Sequence, residues 1–213
     1  MVERVELEEF VKILKEIIFL EREIESSKIE LALKSDFNII DAFKMLDIRG
    51  AGAISQEDMK MGLCHNLNFS SFDSDDIYML FRRFDAQNVG HLTYQDFNRL
   101  VLPFSREYAG LITDRADFYS RRLTDLTQYF NFDTRKEMIA FWNLLFQTER
   151  SIENLRMSLR SRPGFNFRDI FEYFSRTQTG VILESNLRDV LAENGFYITE
   201  RELQGLMYRM DRD

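Results

Sequence analysis

The chain has 213 residues and a net charge of −8, from 36 acidic and 28 basic side chains. Its content of 45% hydrophobic and 30% charged residues is typical of a globular protein and excludes a disordered chain. The acidic balance argues against nucleic-acid binding, a single Cys64 with two histidines excludes disulfides and Cys/His zinc sites, and no run of about 20 apolar residues predicts a membrane span.

Apolar residues recur at helical spacing from the start of the chain. The first stripe steps by three, four or seven residues and consists of Phe10, Leu14, Ile17, Ile24 and Leu31. No proline or glycine interrupts residues 1–49, so we predict a long first helix to about Leu33 and a second helix from near Phe37. Further helical patterns cover residues 56–66, 74–84, 94–101, 105–129, 134–161, 166–174, 184–193 and 199–210. No longer segment alternates with a period of two, so the predicted fold class is all-α.

Two turns between predicted helices share one spacing. Each begins with Asp, has Gly five residues later and an aliphatic residue two after that, and ends with an acid at the twelfth place. The first turn contains Asp47, Gly52, Ile54 and Asp58, and the second contains Asp85, Gly90, Leu92 and Asp96. Their starting aspartates are 38 residues apart.

This pattern resembles the EF-hand family, the helix–loop–helix calcium modules that work in pairs, as in calmodulin and centrin. The sixth loop place of such a module turns sharply and favours Gly because the backbone φ is positive there. The resemblance implies that Ile54 and Leu92, at the eighth place of each loop, form a short antiparallel bridge between the two loops. It therefore implies an all-α fold built from tandem EF-hand pairs.

The second half of the chain repeats the first at an offset of 128 residues. The matching groups are Glu21-Arg22 with Glu149-Arg150, Phe37-Asn38 with Phe165-Asn166, and Gly52 and Ile54 with Gly180 and Ile182. The repeated unit is a long helix followed by a pair of EF-hands. We predict one lobe over residues 1–104 with loops 47–58 and 85–96, a helical connector over 105–133, and a second lobe over 134–213.

The same register places two more loops in the second lobe. The third loop covers residues 175–186, and the fourth begins at Asp211 and is cut off after Asp213. We expect that the protein continues past Asp213 or that a partner chain completes this lobe.

The first and third loops are poor matches to a calcium site, which needs six to eight oxygen ligands. In the first, Arg49 places a permanent cation at the third place between Asp47 and Asp58, and Ala51 supplies no side-chain oxygen at the fifth. The third has no carboxylate at any side-chain ligand place. We expect both loops to be empty.

The second and fourth loops keep calcium binding open as an alternative. In the second, Asp85, Gln87 and Asp96 offer oxygens but Val89 offers none. In the fourth, Asp211 and Asp213 fill the first and third places. The complete set of candidate metal ligands is Asp47, Asp58, Asp85, Gln87, Asp96, Asp211 and Asp213.

The leading hypothesis is a non-enzymatic, calmodulin-like structural or adaptor subunit that binds amphipathic helices of a larger assembly without needing calcium. No Ser/His/Asp set, paired catalytic carboxylates or glycine-rich phosphate loop is present, while 20 Phe and 9 Met suit cores with adaptable grooves. The resemblance implies a cytoplasmic, cytoskeletal or ciliary (axonemal) setting. The alternatives are a calcium sensor with its competent site in the fourth loop, and the regulatory region of a larger protein. The long helices over 10–31 and 141–159 raise an alternative to a partner helix, in which each lies in the groove of its own lobe as an internal ligand.

Overall fold

A computed structural model describes residues 4–115, 129–175 and 180–210. The α-helices in these ranges are α1 Arg4–Leu33, α2 Ile39–Leu46, α3 Gln56–Met61, α4 Ser74–Phe84, α5 Tyr94–Val101, α6 Arg106–Thr113, α7 Phe132–Arg160, α8 Phe167–Phe174, α9 Glu184–Glu193 and α10 Glu200–Met210. The strands are β1 Ala53–Ser55 and β2 His91–Thr93, and a π-helical turn, Gly62–Asn66, continues α3. The predicted all-α class is confirmed. No helix in the described ranges is long and apolar enough to cross a bilayer.

Short polar side chains fix where the helices begin. At the start of α2, Asn38 Oδ1 accepts a hydrogen bond of 2.8 Å from the backbone N–H of Asp41. At the start of α4, Asp73 and Asp76 form a reciprocal capping box. Such caps satisfy backbone donors that have no partner inside the helix. The predicted starts of α4 and α5 coincide with the observed ones. Of the helix predicted over 105–129, the structure describes α6, and residues 116–128 lie outside the described residues.

The chain divides into two compact units. The central unit is Ile24–Arg150, and the terminal unit combines Met1–Glu23 with Ser151–Asp213. Each long helix therefore contributes to both units: α1 gives its first part to the terminal unit, and α7 gives its first part to the central unit. This grouping differs from the predicted division into 1–104, 105–133 and 134–213, which followed chain order.

The core of the central unit contains the end of α1, helices α2 to α5 and the first part of α7. Trp142 and Phe146 of α7 are buried there, and the Phe146 ring stacks on Phe69 and Phe72 at centroid distances of 6.3 and 5.4 Å. The structure differs here from the alternative in which this stretch of helix lies in the groove of its own lobe. It packs instead on α2 to α5 of the first half.

The core of the terminal unit contains the first part of α1, the end of α7, and α8 to α10. The Phe10 ring meets Phe174 edge-on at 5.6 Å and stacks on Phe165 at 6.3 Å. Residues 10–18 of α1 are thus buried among helices of the second half, whereas Ile24, Leu31 and Ala32 of the same helix lie in the core of the central unit. An amphipathic stripe specifies that a helix is buried and leaves open which surface covers it, so the periodicity alone did not distinguish the two pairings.

Candidate functional site

The two loops of the central unit are joined by the bridge that the resemblance to the EF-hand family implied. Strands β1 and β2 pair antiparallel, with Ile54 opposite Leu92 and both side chains fully buried. Gly52 and Gly90 have φ angles of +76° and +81°, in the left-handed region that glycine adopts without steric cost. The two loops therefore have the backbone form of paired EF-hand loops.

Loop 47–58 contains its own cation. The Arg49 guanidinium donates from Nε to Asp58 Oδ1 at 2.8 Å and from Nη2 to Asp58 Oδ2 at 2.6 Å, a bidentate ion pair. The same Nη2 donates to Ser55 Oγ at 3.0 Å. Ser55 donates its hydroxyl and its backbone N–H to Asp58 Oδ2, which closes the capping box of α3. Both oxygens of the loop's closing acid are thus already engaged.

This arrangement lowers the pKa of Asp58. Burial by itself would raise the pKa, but the hydrogen bonds from Arg49 and Ser55 outweigh it, so the pKa lies below its ordinary value. Asp58 stays ionised as the partner of a guanidinium, and a calcium ion would have to displace that guanidinium. The residues of this loop do not fit calcium.

The first acid of each loop shapes the backbone turn. Asp47 accepts hydrogen bonds from the N–H groups of Ala51 and Gly52 at 2.9 and 2.8 Å. Asp85 accepts equivalent bonds of 3.1 and 2.7 Å from the residues at the fifth and sixth places of its own loop. These bonds fix the shape of the turn, since the carboxylate accepts two backbone N–H groups of its own loop.

Loop 85–96 fits calcium only in part. Asp96 accepts from the N–H and hydroxyl of Thr93 at 2.9 and 2.7 Å and so caps α5. Gln87 is exposed, and no cationic side chain stands at its place. Val89, also exposed, supplies no oxygen at the fifth place. Within the described residues no group of three or more His, Cys, Asp or Glu side chains is placed to hold a metal ion.

The third loop is described only at its two ends. Ser175 donates its hydroxyl to the carbonyl of Val181 at 3.0 Å, and Asn186 Oδ1 accepts from the N–H of Leu183 at 2.9 Å. Ser175 and Asn186, at the first and twelfth places, have no carboxylate, and residues 176–179 lie outside the described residues. Asp211 and Asp213, the candidate ligands of the fourth loop, also lie outside them.

A second group of charged residues in the central unit joins α7 to α4. Arg150 donates to both oxygens of Asp76, the second member of the α4 capping box, with an Nε to Oδ1 distance of 2.5 Å. One residue earlier, Glu149 Oε1 accepts from Arg83 Nη1 at 2.5 Å, and both of these side chains are largely buried. We call the pair of salt bridges made by a Glu-Arg dipeptide the Glu-Arg clamp. It fixes α7 against α4 by charge, and the aromatic cluster fixes it by packing.

The terminal unit contains the same clamp made by other residues. Arg22 Nε donates to Glu202 Oε1 of α10 at 2.7 Å, and Arg209 of α10 donates to Glu21. Thr199 and Glu202 hydrogen-bond each other at the start of α10, as Asp73 and Asp76 do at the start of α4. In both units, a Glu-Arg dipeptide of one long helix thus forms two salt bridges with one short helix. Its arginine pairs with the acid of the capping box, and its glutamate pairs with an arginine near the end of the short helix.

Comparison with known proteins agrees with this geometry for part of the chain. Residues 36–102 match the family model of the EF-hand domain pair. Residues 36–102 form an EF-hand pair. The match covers both loops of the central unit and their flanking helices α2 to α5. No curated protein and no solved structure matches the chain.

Sequence reasoning identified some functional residues of this EF-hand pair and missed others. Arg49 was recognised as an obstacle to calcium, but its bidentate bond to Asp58 required the folded loop. The two Glu-Arg dipeptides were recognised as repeated, yet their partners on α4 and α10 were missed. The available signal was that an acidic–basic pair recurred in the same place on two long amphipathic helices. Cys64 is half-buried and His65 is exposed, and neither contributes to these sites.

Proposed function

We propose that this protein is a non-enzymatic EF-hand adaptor, in which two tandem repeats of a long helix and an EF-hand pair hold helical segments of a larger assembly without needing calcium. The observation that carries the proposal is the Arg49–Asp58 ion pair, which puts a tethered cation where a calcium-binding loop needs oxygen ligands. The Arg49 guanidinium is part of the chain and stays in the loop when the calcium concentration falls, so the loop has one state.

The packing of α7 on the EF-hand pair of the central unit supports the same proposal. A calcium sensor alternates between covering and exposing an apolar groove. Here Trp142 and Phe146 of α7 are buried against the EF-hands and the clamp at Glu149 and Arg150 holds them there. An EF-hand pair whose apolar surface is permanently covered by α7 suits a scaffold that presents fixed surfaces. The calmodulin and centrin resemblance adds a cytoplasmic setting of cytoskeletal or ciliary type to the proposal.

The alternative is calcium sensing, and loop 85–96 favours it because no side-chain cation stands there. Asp85, Gln87 and Asp96 would supply side-chain oxygens, and Asp211 and Asp213 would open a further site in the fourth loop. A closing Asp is one methylene shorter than the usual Glu and holds calcium less well.

Calorimetry distinguishes the two functions. Calcium is titrated into the 213-residue chain in physiological magnesium, with Trp142 emission recorded in parallel. We expect neither saturable heat nor a change in emission at micromolar calcium. A variant carrying Arg49→Asp, Ala51→Asn and Asp58→Glu is the positive control, because it replaces the tethered cation by oxygen ligands. Saturable binding by the unaltered chain that Asp85→Ala abolishes would refute the calcium-independent function and establish the second loop as a sensor.

A further inference from the structure

The terminal unit is assembled from two separate stretches of the chain. It combines Met1–Glu23 with Ser151–Asp213, and the whole of the central unit, Ile24–Arg150, lies between them in sequence. The central unit is a single continuous stretch. The terminal unit therefore forms only when two segments that are far apart in sequence meet. We call its first segment, residues 4–23 of α1, the N-terminal arm.

The N-terminal arm supplies a large share of the core of the terminal unit. Six of the fifteen buried apolar residues described in this core belong to the arm, namely Phe10, Val11, Ile13, Leu14, Ile17 and Ile18. Without the arm, the unit would retain only residues 151–213. A segment of about 60 residues is marginal as a separate domain even with a complete core. Residues 151–213 therefore need the arm in order to stay folded.

Polar contacts hold the arm along its whole length. Near its start, Glu6 forms a salt bridge with Arg162, with an Nε to Oε2 distance of 2.9 Å. In its middle, Lys15 Nζ donates to the carbonyl of Asn194 at 3.1 Å. Near its end, the Glu-Arg clamp joins it to α10. These contacts fix the register in which the arm lies on the helices of the second half.

The folded central unit keeps the arm close to the rest of the terminal unit. Helices α1 and α7 each begin in one unit and end in the other. While the central unit is folded, its first and last residues, Ile24 and Arg150, are held in place, so the arm and the end of α7 both start from fixed points. When it unfolds, they become the ends of a flexible chain on the order of 100 residues long. Closing a loop of that length lowers an equilibrium constant by roughly a thousandfold.

We propose that the terminal unit is folded only while the central unit is folded, so that opening the central unit also releases the N-terminal arm. A chain with an unfolded central unit and a folded terminal unit does not accumulate. Any event that strips α7 from the EF-hand pair and opens the central unit therefore dissolves both units together. This goes beyond the adaptor function, because it concerns how the fold is opened and not what it holds.

A chain in which Asp replaces both Leu80 of α4 and Phe146 of α7 tests the proposal. These two residues are 0% and 1% exposed, so two buried charges should unfold the central unit. A red shift of Trp142 emission verifies that it has opened. Hydrogen exchange followed by mass spectrometry then measures the protection of the amides in α9 and α10. We expect this protection to fall by roughly a hundredfold or more relative to the parent chain.

A matched pair of surface substitutions on the same two helices is the control. Tyr78→Asp on α4 and Phe132→Asp on α7 are made together, at positions that are 56% and 81% exposed. They add the same charge without burying it. Trp142 emission and the protection of α9 and α10 should both stay as in the parent chain.

A circular permutant separates loop closure from a general loss of stability. The permuted chain starts within residues 116–128 and joins Asp213 to Met1 through a flexible Gly/Ser linker of about 20 residues. Its terminal unit is then continuous in sequence. When Leu80→Asp and Phe146→Asp are made in this chain, the central unit should unfold, while α9 and α10 keep their protection within about tenfold of the permuted parent.

Two results would overturn the proposal. The first is protection of α9 and α10 that survives in the unpermuted chain after Trp142 emission shows that the central unit has opened. The second is protection that is lost equally in the permuted chain, which would show that loop closure is not the cause. Calcium plays no part in these measurements, so either result leaves the calcium-independent function standing.

Discussion

Replacing Phe146 by alanine tests whether α7 is a structural part of the first EF-hand pair. Phe146 is 1% exposed, and its ring lies 6.3, 5.4 and 6.1 Å from the rings of Phe69, Phe72 and Trp142. A Phe→Ala change in a core costs about 3–5 kcal/mol, and each aromatic contact contributes about 0.5–1.5 kcal/mol beyond burial. We therefore expect a loss of roughly 4 kcal/mol in the free energy of unfolding.

Urea unfolding followed by Trp142 emission measures this loss. Trp142 is the only tryptophan in the chain and is buried in the same cluster, so its emission reports on the central unit. With a denaturant slope of about 2 kcal/mol per molar urea, the midpoint should fall by about 2 M. Phe132→Ala is the control on the same helix, and its midpoint should stay within about 0.25 M, because surface changes stay within about 0.5 kcal/mol. If both variants shift the midpoint equally, α7 does not pack in the EF-hand core.

Two further predictions concern close packing and charge in the central unit. Gly62→Ala should cost about 1–3 kcal/mol, because the new Cβ would lie 2.8 Å from the carbonyl oxygen of Met45, whereas Gly110→Ala, with its nearest neighbour at 3.8 Å, should be neutral or stabilising in thermal unfolding. Asp76 has a pKa below its ordinary value, because hydrogen bonds from Arg150 and the Asp73 backbone outweigh the effect of burial. Its stabilising contribution is therefore present above about pH 4 and is lost as the pH falls through the folded-state pKa. Arg150→Ala should destabilise the protein at pH 7, with a difference from the parent that shrinks below pH 4; a pH-independent difference would contradict this reasoning.

Much of the fold was predictable because local chemistry determines it. Asp73, Thr93 and Ser55 cap helices in the way that their short polar side chains favour, and the starts of α4 and α5 followed from that. Gly52 and Gly90 stand where the loop needs a positive φ, so the two loops were predictable from spacing, while their bridge followed from the resemblance to the EF-hand family.

The partners of the long helices were not predictable in the same way. The stripe of Phe10, Leu14 and Ile17 is suited to any apolar groove, and which groove it enters depends on contacts between residues far apart in sequence. The salt-bridge partners of the Glu-Arg clamp were unpredictable for the same reason. Glu21 and Arg209 are separated by 188 residues, and only the folded chain identifies them as partners.

The composition of the terminal unit also has a consequence for the order of folding during synthesis. Of the described helices, α1 is made first and carries the stripe that belongs to the terminal unit, while α10, whose Arg209 donates to Glu21 of α1, is made last. The central unit, being continuous in sequence, can close while the rest of the chain is still being translated. The apolar first part of α1 stays without its packing partners during this interval. The loop that closes when they meet spans most of the chain, and closing so long a loop is slow. A holding chaperone acting on the nascent chain would therefore find its target in residues 10–18.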